Sequence, residues 1–181
     1  MKRCSWVNLK NPLYIMYHDC EWGVVSYDDK YLFEMLLLES FQAGLTWECI
    51  LNKRENFRVA FDNFDYFKIS NYDDKKIEEL KNNSGIIRNG LKIKAAINNA
   101  KVFINIQKEF GSFSNYIWKF SNFNIFYGVY MTSNELSDRI SNDLVSRGMK
   151  FVGTTIVYSY LQAIGIINDH EKNCSFRKCM E

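Results

Sequence analysis

Apolar positions recur at helical spacing over most of this chain. Leu32, Phe33, Leu36, Leu37 and Phe41 mark one such face, and Asp28 is a suitable N-cap, so a helix is expected from about 28 to 43. Gly44 supplies a stop and Thr46 a new cap. A second helix is expected over 46–61, with Ile50, Leu51, Phe57 and Phe61 inward. Asp65 starts a short helical turn. Asp73, Ile77 and Leu80 define a short helix ending near Ser84-Gly85, and a long amphipathic helix follows through Ile93, Ile97, Ala100, Phe103 and Ile104. Further helices are read over 112–120 and 134–147, the latter stopped by Gly148, and an apolar one follows Gly153-Thr154-Thr155 up to Gly165. Before residue 28 the chain reads as turns with one short helix near 13–18. The aromatic stretch 122–132 fits no element. Strand signals are scarce, so the fold class is all-α, one domain over residues 1–181 with no repeat and no linker.

Composition narrows this picture little. The apolar share of 47% and the aromatic share of 16% allow a large core, and a single proline argues against a loop-rich chain. No apolar run approaches the length of a membrane span, and the N-terminus does not resemble a secretory signal. Five cysteines are too few and too unevenly placed for a disulfide scaffold, which points to a reducing, cytoplasmic setting. The net charge of +2 decides nothing, but its distribution does. From Lys81 to Lys108 there is no acid, while Lys81, Arg88, Lys92, Lys94, Lys101 and Lys108 supply six bases. Such a zone suits a polyanion on one face; a solvated helix face is the ordinary alternative. The helices before and after the segment 85–90 form a hairpin over about 75–108, whose glycine turn and basic second helix suit a phosphate backbone.

Two constellations carry chemistry. The carboxylate of Glu39 lies within the apolar run, one turn before the corner at Gly44, with Trp47 just beyond it. Tyr14, Tyr17, Trp6 and Trp22 lie upstream. Aromatic faces with one isolated carboxylate suit a pocket that stacks a flat ring and reads its polar edge; the ordinary alternative is a solvated helix carboxylate at Glu39 with Trp47 and the other aromatics packed in the core. The second constellation contains both histidines. Cys4 with His18, and His170 with Cys174 at i, i+4, together offer two sulfur and two nitrogen ligands. A tetrahedral Zn²⁺ held this way would join the segment 4–18 to the tail 170–174 and would be structural, because no coordination place remains for water. Two unrelated Cys/His neighbourhoods are the alternative. Cys20, Cys49 and Cys179 are left over, with Cys49 read as core.

Several motifs resemble the bacterial DNA-3-methyladenine glycosylase I family. They are Arg3-Cys4-Ser5-Trp6, Tyr17-His18-Asp19 with Glu21-Trp22-Gly23, Leu38-Glu39 with Gln42-Ala43-Gly44-Leu45-Thr46-Trp47, Gly85-Ile86-Ile87-Arg88, Phe151-Val152-Gly153-Thr154-Thr155 and Asn168-Asp169-His170. The resemblance covers nearly the whole chain. It implies a helix-hairpin-helix glycosylase fold with a structural zinc on Cys4, His18, His170 and Cys174. It also implies a base pocket of Tyr14, Tyr17 and Trp47, supported by Trp6 and Trp22, with Glu39 as the carboxylate that recognises the base. Ser40-Phe41 and the tail after Cys174 depart from the family pattern. The implied reaction is hydrolysis of the N-glycosidic bond of 3-methyladenine in alkylated double-stranded DNA by a monomer, which frees the base and leaves an abasic site. Gly44 and Leu45 are expected to enter the gap left by the flipped base, and Gly85 and Arg88 to hold the DNA backbone. Two other readings differ in kind. One is a non-catalytic, zinc-joined DNA-binding module, which needs no carboxylate among aromatics. The other is a sugar hydrolase pairing Glu39 with Asp19 or Glu21.

Overall fold

A computed structural model describes residues 1–128 and 131–177. Its centre is helix α2 (Asp29–Gln42), in which every residue from Leu32 to Phe41 is buried. The chain reaches α2 through α1 (Pro12–Cys20) and leaves it through α3 (Trp47–Leu51) and α4 (Arg54–Ala60). The next helices are α5 (Tyr66–Ile69), α6 (Asp74–Asn82), α7 (Gly90–Phe110), α8 (Phe113–Lys119), α9 (Glu135–Ser146) and α10 (Thr154–Ala163). Helices α3, α7, α8 and α10 all pack on α2, so a helix with no solvent face forms the middle of one core.

The side chains expected to start helices do so. Asp28, Thr46, Asp65, Asp73, Ser112 and Asn134 each accept a hydrogen bond from a backbone N–H of the first turn they precede. Gly44, Gly148 and Gly165 follow helices at φ +77°, +96° and +82°, where a side chain is strained.

Two stretches differ from their sequence reading. The expected helix over 46–61 breaks at Asn52 and Lys53, and Lys53 adopts φ −104°, ψ 0°. The break turns Lys53 Nζ towards the carbonyls of Ser84 (3.3 Å) and Gly85 (3.4 Å), and Asn52 Oδ1 accepts from Asn11. Asparagine competes for backbone hydrogen bonds and is a weak helix former, so tertiary contacts decide here. Within 122–132, Asn122 and Phe123 take positive φ (51° and 60°). The chain then forms strand β1 (Phe126–Tyr127), parallel to β2 (Ile167–Asn168). This two-residue ladder places Asn168, Asp169 and His170 against the body of the protein.

The charged zone is also redistributed. Lys81 pairs with Glu78 at 2.6 Å. Lys92 is buried, and its ammonium donates to the carbonyls of Phe41 (2.8 Å) and Ala43 (2.6 Å). It therefore serves the C-terminal end of α2, where cations are favoured, and is not part of an open basic surface.

Candidate active site and metal centre

A cavity of about 350 Å³ lies beside the C-terminal half of α2. Trp6, Tyr14, Tyr17, Trp22, Glu39 and Trp47 all line it, so one site gathers every aromatic singled out from sequence together with the carboxylate. Tyr14 and Tyr17 come from α1, Glu39 from α2 and Trp47 from the first turn of α3. Tyr17 and Trp47 meet with ring centroids 5.1 Å apart, and Trp6 lies against Tyr14 at 5.5 Å and Trp22 at 4.7 Å. Tyr17 and Trp22 are buried, whereas Trp6 is exposed at the rim.

Two buried polar atoms of this cavity lack internal partners. Glu39 is 2% exposed, and its Oε2 has no hydrogen-bond partner. Burial pushes its carboxyl up to about 8. Trp47 Nε1, a donor, is likewise buried and unpaired. An orphaned acceptor and donor between aromatic faces cost free energy in the free protein, so their arrangement suits a planar polar ligand that completes both.

Sequence reasoning missed the opposite wall. Gln42, Met131, Thr132, Ser159, Gln162 and Asp169 also line the cavity. Gln42 was legible in principle, because it follows Glu39 at i+3 on α2. Ser159 and Gln162 are polar positions in the apolar helix α10, a signal without meaning until α10 is placed on α2. Gln162 donates to Asp169 Oδ2 at 2.8 Å. Neither Asp19 nor Glu21 lines the cavity: Asp19 is held by Arg3 at 2.6 Å and Glu21 by Arg54 at 2.8 Å. The two-carboxylate pairings weighed from sequence are therefore not formed.

The second constellation lies directly behind Trp6 and Trp22. The potential ligand atoms of Cys4, His18 and Cys174 lie within 4.8 Å of one another, and all three residues are buried. His170 packs against His18 with ring centroids 4.9 Å apart, and its buried Nε2 has no hydrogen-bond partner. The segment 170–174 is not helical, so a turn closed by Cys174 N–H donating to Glu171 O brings these residues together, rather than an i, i+4 face. Both imidazoles are oriented through the other nitrogen. His18 Nδ1 lies 2.8 Å from Asp19 Oδ1, and His170 Nδ1 lies 3.0 Å from Asn168 Oδ1. Such outer partners fix a ring for ligation through Nε2. Gly23, at φ +74°, makes room: a Cβ there would stand 3.1 Å from the His170 ring. The N- and C-terminal segments are also joined by hydrogen bonds, with Lys2 N–H donating to Ser175 Oγ (2.9 Å) and Ser5 N–H to Glu171 Oε1 (2.7 Å). Cys49 is half-buried rather than core, and Cys179 lies outside the described residues.

The remaining expected residues lie at the surface. Gly44 and Leu45 form the corner between α2 and α3, between the cavity residues Gln42 and Trp47, and Leu45 is 40% exposed. Gly85 lies in the turn between α6 and α7. Its N–H already donates to Asn83 Oδ1 at 2.8 Å, and a Cβ there would crowd Asn56 at 3.1 Å, so this glycine shapes the turn. Arg88 is exposed in the same turn, and Asn89 caps α7. No helix among the described residues is long and apolar enough to cross a membrane.

Comparison with known proteins agrees with this geometry. The methyladenine glycosylase family profile matches residues 6–178. The chain is 44% identical to DNA-3-methyladenine glycosylase 1 of Escherichia coli, over 96% of each chain. It is 38% identical to DNA-3-methyladenine glycosylase of Haemophilus influenzae, over 95% of this chain and 96% of that one. The structure of 3-methyladenine DNA glycosylase I from Staphylococcus aureus superposes with a TM-score of 0.94 at 33% identity, covering 100% of this chain and 99% of that one. A cavity of aromatic rings around one carboxyl with an unpartnered oxygen thus accompanies family similarity along nearly the full chain, and the protein belongs to the methyladenine glycosylase family.

Proposed function

We propose that the protein hydrolyses the N-glycosidic bond of 3-methyladenine in alkylated duplex DNA, freeing the base and leaving an abasic site. The observation that carries this reading is the unpaired, buried Glu39 carboxylate inside an aromatic cavity large enough for one base. The staphylococcal relative's structure concerns recognition of 3-methyladenine itself. The lesion must leave the base stack to reach such a cavity, and a weakly paired base costs less to extrude.

The nucleotide of 3-methyladenine carries positive charge before cleavage. Aromatic faces such as Tyr17 and Trp47 attract that charge by roughly 0.5–2 kcal/mol per contact. Glu39 accepts hydrogen bonds from the adenine edge, and Trp47 Nε1 supplies a buried donor left unpaired. A cation in the cavity draws the Glu39 proton off, because opposite charge favours the ionised carboxylate where burial had opposed it. Neutral adenine does neither, so selectivity and leaving-group activation have the same source. The C1′–N9 bond breaks with its electron pair going to the base, which departs neutral. Water adds its oxygen to C1′ and releases a proton. Glu39 acts in recognition and in electrostatic support of the positive charge. The exposed Leu45 wedges into the gap at the corner, and the α6–α7 hairpin holds the backbone through Arg88 without reading sequence.

The cluster of Cys4, His18 and Cys174 suits a structural Zn²⁺, with His170, whose buried Nε2 is unpaired, as the fourth ligand that completes the set. Bound zinc lowers the thiols' affinity for protons, and it would join the segment carrying Trp6 to the tail. Metal analysis should give one zinc per chain. His170→Ala should lower that content and the melting temperature together; full zinc content in this variant would exclude His170 as a ligand.

The non-catalytic module remains the reading of a different kind. It gives no reason for Glu39 and Trp47 to share a cavity, and they do share one. Release of free base from alkylated duplex separates the two, because the module would bind DNA and release none.

A further inference from the structure

The basic residues from Lys81 to Lys108 fall into two groups. Lys81 and Lys92 are engaged within the protein, whereas Arg88, Lys94, Lys101 and Lys108 make no ion pair among the described residues. Lys94 shares one face of α7 with Leu91, Ala95 and Asn98, at i, i+3, i+4 and i+7 spacing. A second segment is fastened to that face. Asn99 Nδ2 donates to Lys150 O at 2.9 Å, and Asn99 Oδ1 accepts from Lys150 N–H at 2.8 Å. Asn98 Nδ2 donates to Gly148 O at 2.7 Å. Asn99 is only 4% exposed, so this two-point clamp fixes an otherwise exposed lysine beside α7. The next residue, Phe151, is held at φ 55° with its ring at the surface. The product is a shallow groove of about 510 Å³ lined by Leu91, Lys94, Ala95, Asn98, Lys150 and Phe151. Its only charges are two lysines, and neither forms an ion pair among the described residues.

We infer that this groove is a second DNA-backbone contact, in which Lys94 and Lys150 take phosphates of the duplex arm running away from the hairpin while Leu91 and Phe151 lie against the deoxyriboses between them. The inference rests on the DNA glycosylase reading above. Two exposed cations around an apolar floor, one of them on a clamped backbone, match a chain of phosphates joined by sugars. Continuity favours DNA over an acidic protein segment. Leu91 belongs to the first turn of the helix that Asn89 caps, and Leu91 to Asn98 spans about 10 Å along α7. Along the axis of a duplex held at the hairpin that distance is about three base pairs, at roughly 3.4 Å each. Contacts of this kind position the duplex and carry no sequence information.

The test uses the full chain and a duplex carrying a stable abasic-site analogue, with affinity measured from about 50 to about 200 mM salt. Each phosphate contact contributes about 0.9 to the slope of log K against log salt. Lys94→Ala/Lys150→Ala should therefore flatten the slope by about two, and its affinity deficit should shrink about tenfold across that range. Lys94→Arg/Lys150→Arg should keep the natural slope. Lys30→Ala/Lys119→Ala removes the same charge at the opposite end of α2, where Asp29 accepts from the first amides of α8, and should also leave the slope unchanged. An unchanged slope in the Lys94/Lys150 alanine pair would overturn the inference and leave the groove to an acidic protein partner. Equal flattening in the control pair would overturn it as well. Both groove lysines are exposed and unpaired, so melting should be unaffected and a misfolded variant would be recognised at once. Base release by the natural protein is measured in parallel. Its absence would refute the glycosylase reading, a failure distinct from that of the groove.

Discussion

Helix α2 carries two buried glutamates five residues apart, and they could hardly be treated more differently. Glu34 is 4% exposed and Glu39 is 2% exposed. Glu34 receives Arg54 Nε at 2.8 Å and Arg58 Nη2 at 2.9 Å, and Arg54 continues to Glu21 at 2.8 Å. Among the described residues Glu39 receives no cation, and its Oε2 has no partner. Burial alone therefore does not mark function. A buried carboxylate matched by arginines belongs to the scaffold, and a buried carboxyl left unmatched beside an aromatic cavity awaits a ligand.

The comparison breaks most severely at Arg54. Arg54→Ala would leave the buried Glu34 to Arg58 alone and strip Glu21 of its cation, and we expect a loss of about 3–5 kcal/mol in chemical denaturation. A smaller loss would mean that Arg58 alone suffices to hold Glu34. Lys92 extends the contrast to the end of the same helix, where its buried ammonium serves two carbonyls. Lys92→Met should cost roughly 1.5–3 kcal/mol, the usual range for charge-assisted hydrogen bonds. It should also loosen the Gly44–Leu45 corner, raising KM for lesion-containing duplex more than it lowers kcat.

The effect most specific to Glu39 is read against pH. Burial raises its carboxyl from 4.5 to about 8, so between those values the folded protein holds a proton that the unfolded chain has released. Its contribution to stability therefore declines as pH rises from about 4.5 to about 8, by up to about 1.4 kcal/mol per pH unit. Glu39→Gln should remove that decline, and melting across this pH range compares the two proteins. Parallel curves would mean that Glu39 is already ionised in the free protein.

Much of the fold could be read from local chemistry. Asp28, Thr46, Asp73 and Asn134 announce helix starts because a short polar side chain satisfies first-turn amides, and Gly44, Gly148 and Gly165 announce ends because their φ is positive. What escaped depends on distant residues. The break at Asn52–Lys53 is set by contacts with Asn11 and the α6–α7 turn, and the β1–β2 ladder joins segments about forty residues apart through two residues each. Lys92 looked like part of a basic surface because sequence does not show which face of α7 meets α2. The aromatic wall of the cavity was legible, as Trp6, Tyr14, Tyr17 and Trp22 cluster in one short stretch. The wall built by Ser159, Gln162 and Asp169 was not, because only the packing of α10 on α2 brings it there.

The central claim is that an unmatched carboxylate makes this cavity a receptor for a cationic base. Its most direct test is release of free 3-methyladenine from alkylated duplex DNA by the natural protein and by Glu39→Gln. We expect the natural protein to free the base and leave abasic sites. The variant should fold as well or better and lose roughly 10–100-fold in kcat/KM, the worth of one charge-assisted contact of about 1.5–3 kcal/mol. Equal rates for the two proteins, or a natural protein that binds the duplex and frees nothing, would contradict the account.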